Sequence, residues 1–199
     1  MLKFRVYGDS LRSLSANILL RNIIMKKLKL RNSDIYLESN KYGKPYLLNN
    51  ENFQFSISHS GIWVACAISP KAIGVDVEEI KSIEDNIARR FFSPQEVKDM
   101  FSFTGNERLL YFYDLWTLKE SFVKAEGEGL AIPLNSFTVR RNNKGNFYLN
   151  KQHAKYFFQQ LKISNNYKLS VCCTKGTHFS GIKIYNIDQL YKDFMNKVD

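Results

Sequence analysis

The spacing of apolar residues changes several times along the chain, and each change marks a new element. Between residues 10 and 28, Leu14, Ile18 and Leu28 stand among apolar positions recurring every three to four residues, which predicts an amphipathic helix. Short apolar runs at about 35–38, 53–57 and 62–68 predict strands, and Ser69-Pro70-Lys71 interrupts them as a turn. Residues 73–79 then read as a buried strand carried by Gly74, Val75 and Val77. Ser93-Pro94-Gln95-Glu96 has the composition of a helix start: a serine cap, then proline, then glutamate at the third position. Leu115, Leu118, Phe122 and Val123 place a long helix at about 107–126, stopped by Gly127-Glu128-Gly129. A hairpin is expected from 137–140 and 147–149 around a turn at 142–145, with further strands at 167–173 and 182–185. Residues 156–163 fit helix or strand equally by pattern. The sum is a mixed α and β protein with no visible internal repeat.

Three short pieces of the chain concentrate reactive side chains. In GVDVE, Asp76 and Glu78 are two apart on a strand, so both carboxylates leave the same face. Two such acids repel unless a cation lies between them or one is protonated. In WTLKESFVK, Glu120 and Lys124 stand four apart on one face of a helix. In SISHSG, His59 is flanked by Ser58, Ser60 and Gly61, which offer hydroxyls and backbone N–H groups to a phosphate. Each piece alone has an ordinary explanation: a solvated strand edge, a surface ion pair, a structural histidine. Together they supply carboxylates for a hard cation such as Mg²⁺, which takes oxygen ligands including phosphate oxygens, and a lysine for the phosphates themselves. No G-x-S-x-G elbow surrounds any serine, so a Ser-His-Asp hydrolase is not expected.

In order, the segments YGKPYL, FSISHSG, IGVDVEEI, RRFFSPQE and LWTLKESFVKAEGEGL closely resemble the 4'-phosphopantetheinyl transferases of the surfactin-activating, Sfp-like class, in register from about Asp9 to Cys173. The resemblance implies transfer of the phosphopantetheine arm of coenzyme A to a serine of an apo acyl or peptidyl carrier protein, as in holo-[acyl-carrier-protein] synthases, with release of 3',5'-ADP. It implies Mg²⁺, with Mn²⁺ as the alternative, held by Asp76, Glu78 and Glu120. Lys124 matches the lysine near the diphosphate, while His59 and Lys44 match contacts to the 3'-phosphate. Ser58 and Ser13 fall at phosphate-holding positions, with Arg12 beside the adenosine. Lys119 also matches a family position, of less defined role. Asp76, Glu120 and Lys124 are expected to act in the reaction, and Glu120 is the first candidate for the base, directly or through a metal-bound water. A tight metal ligand cannot also be a free base, so both roles stay open for Glu120.

The fold that the resemblance implies is α+β, two similar halves related by a pseudo-twofold with coenzyme A between them. Residues 1–70 would form the N-terminal, nucleotide-side half and 71–199 the half with the metal and diphosphate site, with 156–163 as a strand. Members of the class carry a further N-terminal strand with basic residues for the 3'-phosphate. The N-terminal half is therefore expected to be shortened, and a coenzyme A-binding relic without turnover is the alternative function. The carrier protein is expected to dock on residues 80–92, where Ile80, Ile83, Ile87, Phe91 and Phe92 accompany Arg89 and Arg90. Such a surface complements an acidic, partly apolar helix.

Composition changes this picture little. The net charge of +10 over 199 residues suggests anionic partners, and coenzyme A and an acidic carrier both qualify. The lysines are scattered and no zinc-finger, RRM or KH signature occurs, so nucleic acid is not an expected partner. Cys66, Cys172 and Cys173 form no C-x-x-C pair and read as buried thiols in a reducing compartment. With no signal-peptide pattern and no run of membrane-spanning length, a soluble cytoplasmic monomer without membrane contact is the expectation.

Overall fold

A computed structural model describes residues 7–150, 154–177 and 180–197. Helix α1 (Tyr7–Leu28) is followed by a short antiparallel hairpin, β1 (Leu37–Ser39) and β2 (Pro45–Leu47), and a longer one, β3 (Gln54–Ser60) and β4 (Trp63–Ser69). Strand β5 (Ile73–Glu79) leads through α2 (Asp85–Phe91) and α3 (Pro94–Phe101) into α4 (Gly105–Glu126). The order of helix, hairpin, hairpin then recurs, with β6 (Val139–Arg141) pairing β7 (Phe147–Leu149) and β8 (Tyr156–Gln160) pairing β9 (Tyr167–Thr174). Helix α5 (Ile187–Met195) follows and lies on α1, where Asn22 donates to the Leu190 carbonyl at 3.1 Å. The α+β class with two similar halves is thus present as a repeated order of elements.

Strand β5 joins the halves because its two faces differ. Ile73, Val75 and Val77 cluster with Leu169 and Val171 of β9 and with Trp63, Ala65 and Ala67 of β4. The alternate positions Gly74, Asp76 and Glu78 turn to α4. A Cβ added at Gly74 would lie 1.9 Å from the Ser121 carbonyl oxygen and 2.5 Å from the Ala125 nitrogen, so strand and helix meet backbone to backbone there. One edge of β5 pairs with β9, from Ile73 opposite Cys173 to Glu79 opposite Tyr167. The other edge faces β3 without a backbone ladder. Instead, Ser56, Ser58 and Ser60 of β3 accept from the N–H groups of Val75, Val77 and Glu79 at 3.0, 3.3 and 3.0 Å. Three hydroxyls in period two thus satisfy a strand edge that would otherwise bury unpaired donors.

The ends of the helices are fixed by local chemistry. At α3, Ser93 and Glu96 form the expected capping box, with Pro94 in the first turn. Helix α4 ends at Gly127, whose φ of 80° is a conformation that glycine adopts without strain. Lys44 and Asn40, from the β1–β2 turn, close that end: Lys44 Nζ donates to the carbonyls of Ala125 and Ile73 at 3.4 and 3.3 Å, and Asn40 donates to that of Gly127 at 2.8 Å. A cation at a helix C-terminus also complements the helix dipole.

Some elements differ from the sequence reading. Residues 182–185 form no strand, and Ile184 is 65% exposed. Strand β9 already carries β5 on one edge and β8 on the other, so it has no place for them. Strand β3 continues to Ser60, beyond the expected 53–57, and so carries His59. The reversal comes one residue later, where Gly61 has φ of +55° and a Cβ would strike the Tyr167 hydroxyl. The short helices α2 and α5 were not expected, although α5 is amphipathic and Asn186 caps its start by accepting from the Asp188 N–H.

Candidate active site

The face of α4 that meets β5 carries Trp116, Glu120 and Lys124, four residues apart and therefore one above another. They line a cavity of about 610 Å³ together with Asp76 and Glu78 of β5, Ser58 and His59 of β3, and Ser13 and Asn17 of α1. Strand and helix contribute acids to one point because Gly74 lets them approach so closely.

The centre of the site is a triad of hydrogen bonds. Lys124 Nζ donates to Asp76 Oδ1 at 2.6 Å and to Ser58 Oγ at 3.0 Å, and Ser58 donates to the same Asp76 oxygen at 2.8 Å. Asp76 is 2% exposed, and its second oxygen, Oδ2, is buried without a hydrogen-bond partner among the described residues. Glu78 accepts from Ser60 at 2.8 Å. Glu120 makes no side-chain hydrogen bond among the described residues.

Burial raises the pKa of all three acids. For Asp76 it is opposed by the Lys124 charge and the bonds from Lys124 and Ser58. For Glu78 and Glu120 the neighbouring Asp76 adds to the rise. One ammonium is thus shared among three crowded carboxylates, a surplus of negative charge that calls for a further cation. No three His, Cys, Asp or Glu side chains among the described residues form a ready cage for a metal ion. The donor set nonetheless fits one: an orphaned, buried carboxylate oxygen stands beside two further carboxylates, the hard oxygen ligands that a divalent cation such as Mg²⁺ takes.

The remaining residues singled out from sequence are placed as follows. Ser13, Ser58 and His59 line the cavity, His59 with its side chain exposed. Arg12 donates to the Gly61 carbonyl at 3.2 Å and ties α1 to the β3–β4 reversal without lining the cavity. Lys44 lies at the C-terminus of α4, partly buried with a lowered pKa, and does not line the cavity either. Lys119 is fully buried, bonded to both Glu96 oxygens at 2.6 and 2.8 Å and to the Phe137 carbonyl at 2.7 Å. Among the residues proposed for docking, Arg89 and Arg90 are exposed, while Ile80, Ile83, Ile87 and Phe91 are half-buried against the core. Phe92 is a correction: at 2% exposure it packs on Phe112 and Trp116 and belongs to the core. Trp116 was missed as a site residue, and Ser60, expected to offer its hydroxyl to a phosphate, donates to Glu78 instead. Trp116 was legible, since it precedes Glu120 by one helical turn. The signal for Ser60 was its period with Ser58.

Acids, a lysine and a strand-borne serine-histidine pair thus meet around one cavity. Comparison with known proteins assigns the family. Residues 72–172 match the model of the 4'-phosphopantetheinyl transferase superfamily, and residues 1–71 match that of the 4'-phosphopantetheinyl transferase N-terminal region. The chain is 37% identical to the 4'-phosphopantetheinyl transferase Sfp of Bacillus subtilis (strain 168) over 92% of its own length and 82% of that protein. It is 40% identical to the 4'-phosphopantetheinyl transferase ffp of Bacillus subtilis over 84% of its length and 75% of that protein. A crystal structure of a holo-(acyl-carrier-protein) synthase from Bacillus anthracis in complex with CoA (3',5'-ADP) is 19% identical, with a TM-score of 0.45, and covers 52% of this chain and 94% of that one. The protein belongs to the 4'-phosphopantetheinyl transferase superfamily.

Proposed function

We propose that the protein transfers the 4'-phosphopantetheine arm of coenzyme A to a serine of an apo acyl or peptidyl carrier protein, releasing 3',5'-ADP. The observation that carries this reading is the meeting of Asp76, Glu78, Glu120 and Lys124 at one cavity, with an oxygen of Asp76 left unpartnered. Residues 1–70 would then receive the nucleotide end of coenzyme A and residues 71–199 the diphosphate.

Asp76, Glu78 and Glu120 form the ligand set for Mg²⁺ or Mn²⁺. Such an ion, when bound, neutralises charge on the diphosphate oxygens and orients them. Asp76 and Glu78 are the fixed members, Asp76 through Lys124 and Ser58, Glu78 through Ser60. Glu120, raised in pKa and without such bonds, is either the third ligand or, when not bound to the ion, the base that takes the serine proton. The serine oxygen bonds to the β-phosphorus as the bond from that phosphorus to the bridging oxygen breaks. The electron pair leaves with 3',5'-ADP, and Lys124 provides a cation for the phosphate oxygens. Ser13 and His59 line the same cavity and present donors to phosphate, while Ser58 holds Asp76 and Lys124 in place.

The carrier protein docks beside α2, where exposed Arg89 and Arg90 lie over the Phe101 and Phe91 rings at 4.7 and 5.2 Å. An acidic helix with an apolar stripe would meet cations over an aromatic and aliphatic floor. Exchanging both arginines for glutamate raises KM for carrier far more than KM for coenzyme A; equal changes would exclude this surface. Three free cysteines suit a reducing cytoplasm. Among the described residues no helix is long and apolar enough to cross a membrane.

Intact-mass analysis tests the reading. An apo carrier protein incubated with coenzyme A, Mg²⁺ and this protein gains the mass of one phosphopantetheine group, and the gain disappears with Asp76→Ala or EDTA. Coenzyme A binding without any gain across several carriers would mean a relic without turnover.

A further inference from the structure

The hydroxyls of β3 do more than close the edge of β5. A serine has one proton to donate and two lone pairs that accept. Ser58 accepts from Val77 N–H and from Lys124 Nζ, so its lone pairs are used and its proton points to Asp76 Oδ1. Ser60 repeats the arrangement one step along: it accepts from Glu79 N–H at 3.0 Å and donates to Glu78 Oε2 at 2.8 Å. The direction of each O–H is therefore set by the backbone of the neighbouring strand, and the carboxylate receives a proton donor of fixed orientation. Ser56 accepts from Val75 N–H at 3.0 Å in the same way, but the residue alongside is Gly74, and no carboxylate is within its reach.

We propose that Ser60 is a positioning residue for Glu78: its hydroxyl, oriented by the Glu79 amide, aims one Glu78 oxygen and leaves the other turned to the cavity for the cation. The acidic pair on β5 is then held in shape by a strand of the N-terminal half. Any displacement of β3, which also bears His59 at the cavity, is passed to the ligand set through two hydroxyls. Ser58 touches Lys124 and so belongs to the site directly, whereas Ser60 acts only through Glu78. The inference rests on the metal-dependent reading given above.

Ser56 supplies an internal control, because its removal opens the same kind of backbone bond without touching an acid. Mn²⁺ binding in the presence of coenzyme A, followed by the paramagnetic resonance of free Mn²⁺, reads the site independently of turnover. Ser60→Ala weakens Mn²⁺ binding about tenfold, the scale found for partners that orient metal ligands. Ser60→Thr, which keeps the hydroxyl, restores it. Ser56→Ala lowers the melting temperature as Ser60→Ala does, yet binds Mn²⁺ as the unmodified protein does. Ser60→Ala binding Mn²⁺ normally, or Ser56→Ala weakening it equally, overturns the positioning role while Asp76→Asn still abolishes binding. Binding that is no tighter in the unmodified protein than in Asp76→Asn removes the metal reading, and this inference with it.

Discussion

Lys124 Nζ lies 2.6 Å from Asp76 Oδ1, joining the last turns of α4 to the middle of β5. The lysine side chain is 30% exposed and the aspartate side chain 3%, so the pair spans the wall between core and cavity. Removing the lysine strands a carboxylate that burial already disfavours as an anion. Lys124→Met is expected to lower transfer by about a hundredfold or more, the scale of losing a preorganised charge donor. It also lowers stability, and Mg²⁺ raises its melting temperature more than that of the unmodified protein, because the ion replaces the missing charge. Calorimetry with and without Mg²⁺ decides this; equal shifts in both proteins would count against it.

Gly74 is where a single methyl group separates the two elements of the site. Its added Cβ would meet the Ser121 carbonyl and the Ala125 nitrogen, which are helix backbone and cannot rotate away. Gly74→Ala must push β5 off α4, with a cost of about 3 kcal/mol or more, at the upper end of overpacking effects. Transfer activity falls more steeply than stability, since Asp76 moves away from Lys124. Thermal unfolding and steady-state rates check it, and a variant with native activity would show that the contact yields.

Much of this architecture was legible from period alone. The 3.6-residue pattern around Leu115, Leu118 and Phe122 placed α4, and the serine, proline and glutamate of 93–96 placed the start of α3, because capping chemistry is local. The cavity residues were legible in part: Asp76 with Glu78, and Glu120 with Lys124, follow from strand and helix periods. What brings the two pairs together did not. That depends on Gly74 meeting a helix 47 to 51 residues further on, a close approach that no local pattern encodes. Lys44 and Arg12 illustrate the same limit, since their partners Ala125 and Gly61 are fixed only by tertiary packing. The segment 182–185 alternates like a strand, but sheet edges are allotted by topology and none adjoins it.

The Lys119–Glu96 pair, wholly buried, is a structural clamp that ties α4 to α3. Glu96 also accepts from Ser93 and Val139 backbone N–H groups, both at 2.7 Å, so each of its oxygens is doubly engaged. Lys119→Met leaves that carboxylate without its cation in the core and is expected to cost about 3–5 kcal/mol. Denaturant unfolding measures the loss. Because Lys119 does not line the cavity, KM for coenzyme A stays near its original value in whatever fraction remains folded. A large rise in KM with unchanged stability would instead assign Lys119 to substrate.

The acids of the site should also leave a mark on stability against pH. Asp76, Glu78 and Glu120 all have folded pKa values above those of the unfolded chain, which lie at roughly 4. Between the unfolded and folded values the folded protein binds more protons, so stability falls as pH rises through that interval. The shift therefore stabilises most below the unfolded pKa and is lost as pH passes the folded values. Asp34 and Asp193, lowered in pKa by Arg31, Gln189 and Lys26, act in the opposite sense but at lower pH. Metal-free protein is thus expected to melt at progressively lower temperature as pH rises from roughly 4. Mg²⁺ removes much of this fall, because it neutralises the same carboxylates without protons. Asp76→Asn with Glu78→Gln flattens the metal-free profile as well, since neither amide titrates. Scanning calorimetry in EDTA and in Mg²⁺ measures both slopes; a metal-free melting temperature that climbs as pH rises from roughly 4 would mean that other groups govern the balance.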